Sequence, residues 1–174
     1  DLLSVAAGSA GTARGSGGMA SKLSAARIAS WSGIRTVIAR ASRERVLVDA
    51  VDAETQVGTT FLGRDRQLSA RRLWIAFAAQ SVGRVVIDAG AVAAIETRGT
   101  SLLSPGVTHV VGEFAVGDVV DVVDNHDNVV ARGASAMSSG ELAAIRGKRS
   151  SDLAEGASSL VVHRDEMVVL SALR

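Results

Sequence analysis

The chain has 174 residues, of which 47% are apolar and 21% charged, so it is long enough for one globular domain or for one and a piece. There are 19 Lys and Arg against 18 Asp and Glu, and the net charge of +1 gives no broad electrostatic field that would attract nucleic acid or an anionic membrane. The lack of Cys excludes disulfides, thiolate zinc sites and a Cys nucleophile. No apolar run approaches the ~20 residues needed to cross a bilayer, and no signal peptide opens the chain, so we expect a soluble protein of the cytoplasm.

The start of the chain lacks the apolar strand with which an α/β domain normally opens. Residues 1–14 show no strong strand pattern, and glycines then follow one another closely. We therefore expect the chain to be a fragment whose N-terminal part is missing. The glycines of this region are Gly8, Gly11, Gly15, Gly17 and Gly18.

The first segment is predicted to alternate helices and strands up to about residue 62. Met19, Leu23 and Ala26 follow helical spacing, and Gly33 stands where a helix C-cap is expected. The order loop–helix–strand–helix–strand is typical of the closing part of a parallel sheet covered by helices. The predicted elements are a loop at 11–18, helices at 20–32 and 43–51, and buried strands at 36–39 and 58–62.

A charged stretch at residues 63–67 breaks this pattern and is predicted to be the domain boundary. The part that follows has short valine-rich strands with close turn signals, including a polar loop at 124–128. Ser138 and Glu141 have the spacing of a capping box for a helix through Ile145. We therefore expect a compact, mainly-β barrel with small helices across its ends. The predicted strands are 84–88, 108–111, 119–123, 129–131, 161–162 and 167–170, and the other predicted helix is 90–98.

The segment from Gly15 to Lys22 is the strongest candidate for chemistry. Glycines let backbone N–H groups converge on an anion, and the start of a helix adds unpaired donors and the positive end of the helix dipole. Lys22, one turn into the helix, can place a point charge on the terminal phosphate of a nucleotide. The spacing is not that of a P-loop, because Leu23 follows the lysine. From the residues alone, a flexible Gly/Ser loop that merely starts a helix stays equally open.

The same segment carries a family resemblance. It runs Gly15-Ser16-Gly17-Gly18-Met19-Ala20-Ser21-Lys22 and resembles the G-T-G-G-M-x-T-K segment of the bacterial glutamate 5-kinase family. Ser16 and Ser21 stand where that family usually has Thr, and they keep the hydroxyl group. Further on, the chain resembles the family's C-terminal PUA domain. The matching stretches are 86–91, 101–107, 119–122, 131–133, 138–142 and 162–167.

The resemblance implies the fold and the activity. Residues 1–66 would be the C-terminal part of a parallel-sheet amino-acid kinase domain with an ATP-binding segment, 67–82 a linker, and 83–174 the PUA domain. The activity implied is ATP-dependent phosphorylation of the L-glutamate side-chain carboxylate, the first step of proline biosynthesis, by a protein that forms a homo-oligomer when full length.

The resemblance also implies roles for particular residues. ATP would be contacted by Ser16, Gly17, Gly18, Met19, Ala20, Ser21 and Lys22, with Lys22 catalytic because it stabilises charge on the phosphoryl group in transfer. Mg²⁺ is implied only through ATP, since no ligand set for a metal is visible. The family's first phosphate loop and its glutamate-binding residues would precede this chain. We therefore expect the chain alone to have no kinase activity.

The alternative is an RNA-binding module built on the PUA-like half. Single-stranded RNA is commonly recognised by stacking on aromatic side chains, but this chain has two Trp, three Phe and no Tyr. A small basic patch is conceivable, although solvated surface charge is the simpler interpretation, and we do not expect RNA binding. The residues of that patch would be Arg132, Arg146, Lys148 and Arg149.

Three other signals are set aside. His163-Arg164-Asp165 spells the protein-kinase catalytic triplet, but Leu170 stands where that motif needs Asn. Residues 124–128 are acid-rich, yet the Gly and Glu of an EF-hand loop are missing, so a solvated turn is predicted. The three histidines show no paired ligand spacing, and no protein-held metal is expected.

Overall fold

The computed structural model describes residues 18–52, 57–65 and 67–171 and divides into two compact units between residues 69 and 70. Three residues of the predicted nucleotide segment, Gly15, Ser16 and Gly17, lie outside the described residues. Within those ranges, a helix with the length and apolar character needed to traverse a bilayer does not occur.

The first unit begins with a helix that ends as the sequence predicts. The N–H of Gly33, at φ +77°, donates to the Ser30 carbonyl at 3.0 Å, and the N–H of Ile34 donates to the Ala29 carbonyl at 2.9 Å. This pair of bonds is a Schellman motif, which requires a left-handed residue and so favours glycine. The elements of the unit are α1 (Met19–Trp31), β1 (Thr36–Ile38), α2 (Val46–Val51) and β2 (Thr59–Phe61).

The two strands of the first unit pair antiparallel, with Thr36 opposite Phe61 and Ile38 opposite Thr59. This pair differs from the parallel sheet of which the segment is predicted to be the closing part. A parallel crossover needs a helix that packs on the sheet, whereas α2 has six residues, none of them buried. The strands are also half-buried or exposed rather than buried. A parallel-sheet kinase domain is thus not shown by the described residues.

The second unit is mainly β, as predicted. Its six-stranded sheet has the order β4-β8-β7-β6-β3-β5, in which β3 and β6 are parallel and the other neighbours antiparallel. The strands are β3 (Gly83–Ile87), β4 (Leu102–Leu103), β5 (Val107–Val111), β6 (Val119–Val123), β7 (Val129–Ser135) and β8 (Leu160–Val169). The helices are α3 (Ala70–Leu73), which continues as a π-helical turn at Trp74–Ala78, α4 (Ala89–Arg98) and α5 (Ser139–Ile145). Short 3₁₀ turns lie at Ser104–Gly106 and Ser150–Asp152.

The core of the second unit forms between the sheet and its helices. Valine alternation along the strands places one face inward, and Ile95 of α4 and Leu142 of α5 pack onto that face. The exposed hairpin loop between β6 and β7 falls where predicted, at residues 124–128. The fully buried members include Val85, Ile87, Val120, Val122, Ala131, Val161 and Val162.

The helices of the second unit carry the caps that their sequences predict. Ser138 and Glu141 form the expected capping box: the Glu141 N–H donates to Ser138 Oγ at 3.4 Å, and the Ser138 N–H donates to Glu141 Oε2 at 2.8 Å. At α4, the Asp88 carboxylate accepts from the Ala91 N–H at 2.7 Å, and Gly99 ends the helix at φ +60°. These caps satisfy donors that a helix end otherwise leaves unpaired.

Helix α3 is fastened to strand β8 by two arginines. Arg72 donates from Nη2 to the Met167 carbonyl at 3.0 Å and to the Arg164 carbonyl at 2.9 Å. Arg71 Nε lies 2.8 Å from Glu166 Oε2. The stretch 67–82, which the family resemblance implies to be a linker, therefore includes a short helix bonded to the second unit.

Candidate functional site

The predicted nucleotide segment continues into the first turn of α1. Gly18 is the N-cap residue, with an extended backbone at φ −67° and ψ −169°, and Met19, Ala20 and Ser21 are the first three helical positions. The side chains of these three residues are exposed. The structure therefore brings Gly18 to Lys22 together on one accessible helix start.

Among the described residues, no side chain caps the backbone donors of this turn. Gly18 has no side chain to accept from them, in contrast to the serine at the start of α5, and the first turn contains no acidic residue. The first N–H groups of a helix lack intrahelical partners, and the helix dipole adds partial positive charge there. An anion such as a phosphate group is the natural partner for this arrangement.

Lys22 adds a full positive charge to the same end of the helix. It is exposed and follows Gly18 by four residues, so the two lie on the same side of α1. The Cα–Cβ bond of every helical residue tilts toward the helix N-terminus, which directs the lysine stem back toward the first turn. No ion pair joins Lys22 to another described residue. Its ammonium group can therefore approach an anion held by the first-turn amides.

A protein-held metal ion would need several ligands close together. Within the described ranges, no group of three or more His, Cys, Asp or Glu side chains is placed to hold one. The acid-rich loop at 124–128 illustrates why, since Asp124 uses its oxygens on its own turn. Its Oδ2 accepts from Asn128 Nδ2 at 2.9 Å, and its Oδ1 accepts from the backbone N–H groups of Asn128 and His126. The Asn128 side chain, followed by these backbone donors, lowers the pKa of Asp124.

The basic patch considered for RNA does not form as a unit. Arg132 Nε lies 2.7 Å from Asp121 Oδ1, and the two side chains are only 23% and 16% exposed. Its guanidinium also donates to the Ala79 carbonyl at 3.4 Å. Arg132 is thus engaged within the second unit, while Arg146, Lys148 and Arg149 lie exposed beyond α5.

Comparison with known proteins finds relatives along almost the whole chain. The glutamate 5-kinase of Vibrio campbellii (strain ATCC BAA-1116) is 45% identical over 98% of this chain and 46% of that protein. The glutamate 5-kinase of Thermoanaerobacter sp. (strain X514) is 41% identical over the same shares. These relatives confirm the resemblance to glutamate 5-kinases. The chain spans about half the length of the curated relatives it matches.

A separate match covers the second unit. The family model of the PUA domain matches residues 83–156, which confirms the PUA-like part of the predicted fold. Among solved structures, a PUA domain from Aeropyrum pernix K1 is 30% identical, with a TM-score of 0.40, over 53% of this chain and 48% of that chain. At that TM-score the structural likeness adds nothing to the family model.

Proposed function

We propose that this chain is the C-terminal part of a glutamate 5-kinase, a cytoplasmic, homo-oligomeric enzyme that transfers the γ-phosphoryl group of ATP to the side-chain carboxylate of L-glutamate in proline biosynthesis. The observation that carries the proposal is the 45% identity to a glutamate 5-kinase over 98% of the chain. Residues 1–66 then belong to the amino-acid kinase domain, 67–82 to a linker and 83–174 to the PUA domain.

The start of α1 has the chemistry that phosphoryl transfer needs. A carboxylate oxygen of glutamate attacks the γ-phosphorus, the bond to the β–γ bridging oxygen breaks, and ADP leaves. Catalysis of this transfer depends on positioning and on stabilising negative charge. The amides from Gly18 to Ser21 would hold phosphate oxygens, and the Lys22 ammonium would offset the charge that develops on them. Ser16 and Gly17 are also proposed to contact ATP, as the family resemblance implies.

Mg²⁺ would enter this site with the nucleotide. The described residues hold no cluster of three potential metal ligands. Phosphate oxygens, rather than side chains of this part of the chain, would therefore hold the ion. When bound, the ion would supply further charge neutralisation between the phosphates. The residues of α1 would hold and orient the phosphates around it.

RNA binding by the PUA domain is not part of the proposal. One of the four basic residues considered for it, Arg132, is paired with Asp121. The net charge of +1 also gives little electrostatic affinity for a polyanion. Retention of RNA on a filter at ~0.15 M salt would revive that alternative.

The proposal is tested with the complete gene product that contains this sequence. We expect it to form glutamyl phosphate from ATP and L-glutamate, measured as the hydroxamate after trapping with hydroxylamine. Glutamine, whose side chain ends in an amide, is the matched substrate control and should give no product. The 174-residue chain alone should also be inactive. Failure of the complete protein to phosphorylate glutamate would contradict the proposal.

A further inference from the structure

The sheet of the second unit has an outer face, opposite the face that packs against α4 and α5. Ala131 of β7 belongs to the core, so the side chain of Arg132 lies on the outer face, because successive side chains of a strand alternate. Asp121 of β6 and Val168 of β8 are paired with Arg132 and share that face. Val168 is only 3% exposed, so the outer face is covered.

The cover is the segment from residue 70 to residue 82, which we call the strap. Its π-helical turn at 74–78 packs against β7 and β8. Ile75 in this turn is fully buried, and Ala76 and Ala79 are also buried. None of the three belongs to the core between the sheet and α4 and α5. The strap therefore forms a second apolar layer, on the outer face of the sheet.

Polar bonds fix both ends of the strap to the sheet. At its first end, Arg72 Nη2 donates to the carbonyls of Arg164 and Met167 on β8. At its last residue, the Val82 N–H donates to the Val119 carbonyl at 3.0 Å, where β6 begins. The two ends are thus held by different strands, and the strap crosses the sheet between them.

A polar network joins the last part of the strap to β6 and β7. Arg132 Nη1 donates to the Ala79 carbonyl at 3.4 Å, and its Nε lies 2.7 Å from Asp121 Oδ1. Ser81 Oγ accepts from the Asp121 N–H at 2.9 Å and donates to the Gly83 carbonyl at 2.8 Å. Partly buried charges are costly unless they are paired and hydrogen-bonded. The strap supplies one of the acceptors that the Arg132 guanidinium requires.

The chain passes from the first unit to the strap over very few residues. The Leu68 N–H donates to the Trp31 carbonyl at 3.0 Å within the first unit, whereas Arg71 Nε already lies 2.8 Å from Glu166 Oε2 on β8. Flexible linkers are rich in Gly and Ser, and extended ones in Pro. The strap contains neither Gly nor Pro, and its only Ser is the bonded Ser81.

We infer that residues 70–82 are a fixed strap of the second unit, and that this unit is joined to the preceding residues by a pivot at 69–70 rather than by a flexible linker. Any movement of the sheet then carries the strap with it. The inference is independent of the proposed activity, because the contacts that hold the strap all lie within the second unit.

Amide hydrogen exchange of the 174-residue chain, followed by NMR, tests the inference. The N–H groups of Ala79 and Val82 donate to the Trp74 and Val119 carbonyls. We expect both to exchange at least about 100-fold more slowly than in an unstructured peptide of the same sequence, since exchange then requires the strap to open. The exposed Glu155 serves as the rapidly exchanging reference. Exchange of Ala79 and Val82 at the unstructured rate would overturn the inference.

Substitutions within the strap test which contacts hold it. Ile75→Ala removes the fully buried side chain, and Arg72→Ala removes the bonds to β8 without a cavity in the apolar layer. Each should speed exchange at Ala79 by at least about tenfold. Val82→Ala is the matched control, because that side chain is 51% exposed, and it should change the rate at Ala79 by less than about twofold.

Circular dichroism verifies that each variant is folded, and Arg72→Ala keeps the test decisive if Ile75→Ala does not fold. Unchanged exchange at Ala79 in the folded variants would contradict a strap held by these contacts. A rise in Val82→Ala as large as in Ile75→Ala would contradict it as well, by showing that the buried side of the strap has no special part in holding it.

Discussion

The two units of the molecule differ in how far their own residues bury their apolar side chains. The second unit encloses a continuous core, with Val85, Ile95 and Leu142 among its members. In the described part of the first unit, the buried apolar side chains are Ala26, Trp31 and Val57, while Leu47, Val48 and Val51 of α2 are exposed. Since burial of apolar surface is the main force of folding, the described residues of the second unit contribute more to stability than those of the first.

The largest expected change in the free energy of unfolding comes from replacing a leucine of α5, with a leucine of the short helix α2 as the matched comparison. Leu142 of α5 is fully buried, so Leu142→Ala should lower the free energy of unfolding by about 2–5 kcal/mol, through lost transfer energy and a cavity. Leu47 of α2 is 80% exposed, so Leu47→Ala should change it by less than about 0.5 kcal/mol. Urea denaturation of the 174-residue chain measures both values. Similar losses of unfolding free energy in the two variants would contradict the difference in apolar burial between the two units.

A smaller change in stability is expected at Gly133, where strands β7 and β8 approach each other closely. A methyl group at Gly133 would collide with Val162 Cγ1 and would lie 2.9 Å from the Glu166 carbonyl oxygen. Gly133→Ala should therefore destabilise by about 1–3 kcal/mol. Gly140, in α5, has open space around that position, so Gly140→Ala should stabilise by about 0.5–1 kcal/mol. The midpoint of thermal unfolding should fall for Gly133→Ala and rise for Gly140→Ala. An unchanged midpoint for Gly133→Ala would contradict the close packing of β7 against β8.

The smallest of these effects concerns the helix caps. Ser138→Ala removes the side-chain cap of α5 and should cost about 0.5–2 kcal/mol at neutral pH. Hydrogen bonds from Ser138, first from its side chain and then from its backbone, hold the pKa of Glu141 below its ordinary value of 4.5. A lowered folded-state pKa contributes stability above the unfolded value, and this contribution is lost as pH falls through the folded value.

The difference in stability between the wild-type chain and Ser138→Ala should therefore shrink as the pH falls below about 4.5, while the part due to the Glu141 N–H bond to Ser138 Oγ remains. The control is Thr97→Ala, whose hydroxyl donates to the backbone carbonyl of Ala93 in α4, a group that does not titrate, and which should keep a constant offset. A Ser138→Ala difference that grows toward low pH would contradict the role of the capping box.

Much of the second unit could be predicted because its signals are local. The valine run of β6 is matched residue for residue, and Gly99 and Ser138 end and begin helices as their chemistry requires. Strand β4 was missed because two residues carry no periodicity. Strand β8 was predicted as two pieces because its exposed residues from His163 to Asp165 look like a loop, although pairing with β7 resumes across a register shift.

The first unit was harder to predict because its structure depends on less local information. Helix α2 begins at Val46 rather than at residue 43, since Arg45 adopts a left-handed conformation at φ +57°. The direction of β2 against β1 follows from the path of the connection, which short β-branched runs do not encode. The helix start from Gly18 to Lys22 was predictable from glycine and helix signals. The exposure of Leu47, Val48 and Val51 in α2 was not, because apolar spacing alone does not tell whether a helix side is buried.

Lys22 is the residue through which the α1 N-terminus would act in phosphoryl transfer, and Lys148, the other lysine of the sequence, is its internal control. In the complete protein, Lys22→Ala should lower the turnover number for glutamyl phosphate formation by roughly 10²–10³-fold, the loss typical of one preorganised charge-stabilising donor. Lys148→Ala, in an exposed position of the second unit, should leave turnover unchanged, and both variants should keep the wild-type circular dichroism spectrum. Wild-type turnover in a folded Lys22→Ala variant would contradict the assignment of the α1 N-terminus to phosphoryl transfer.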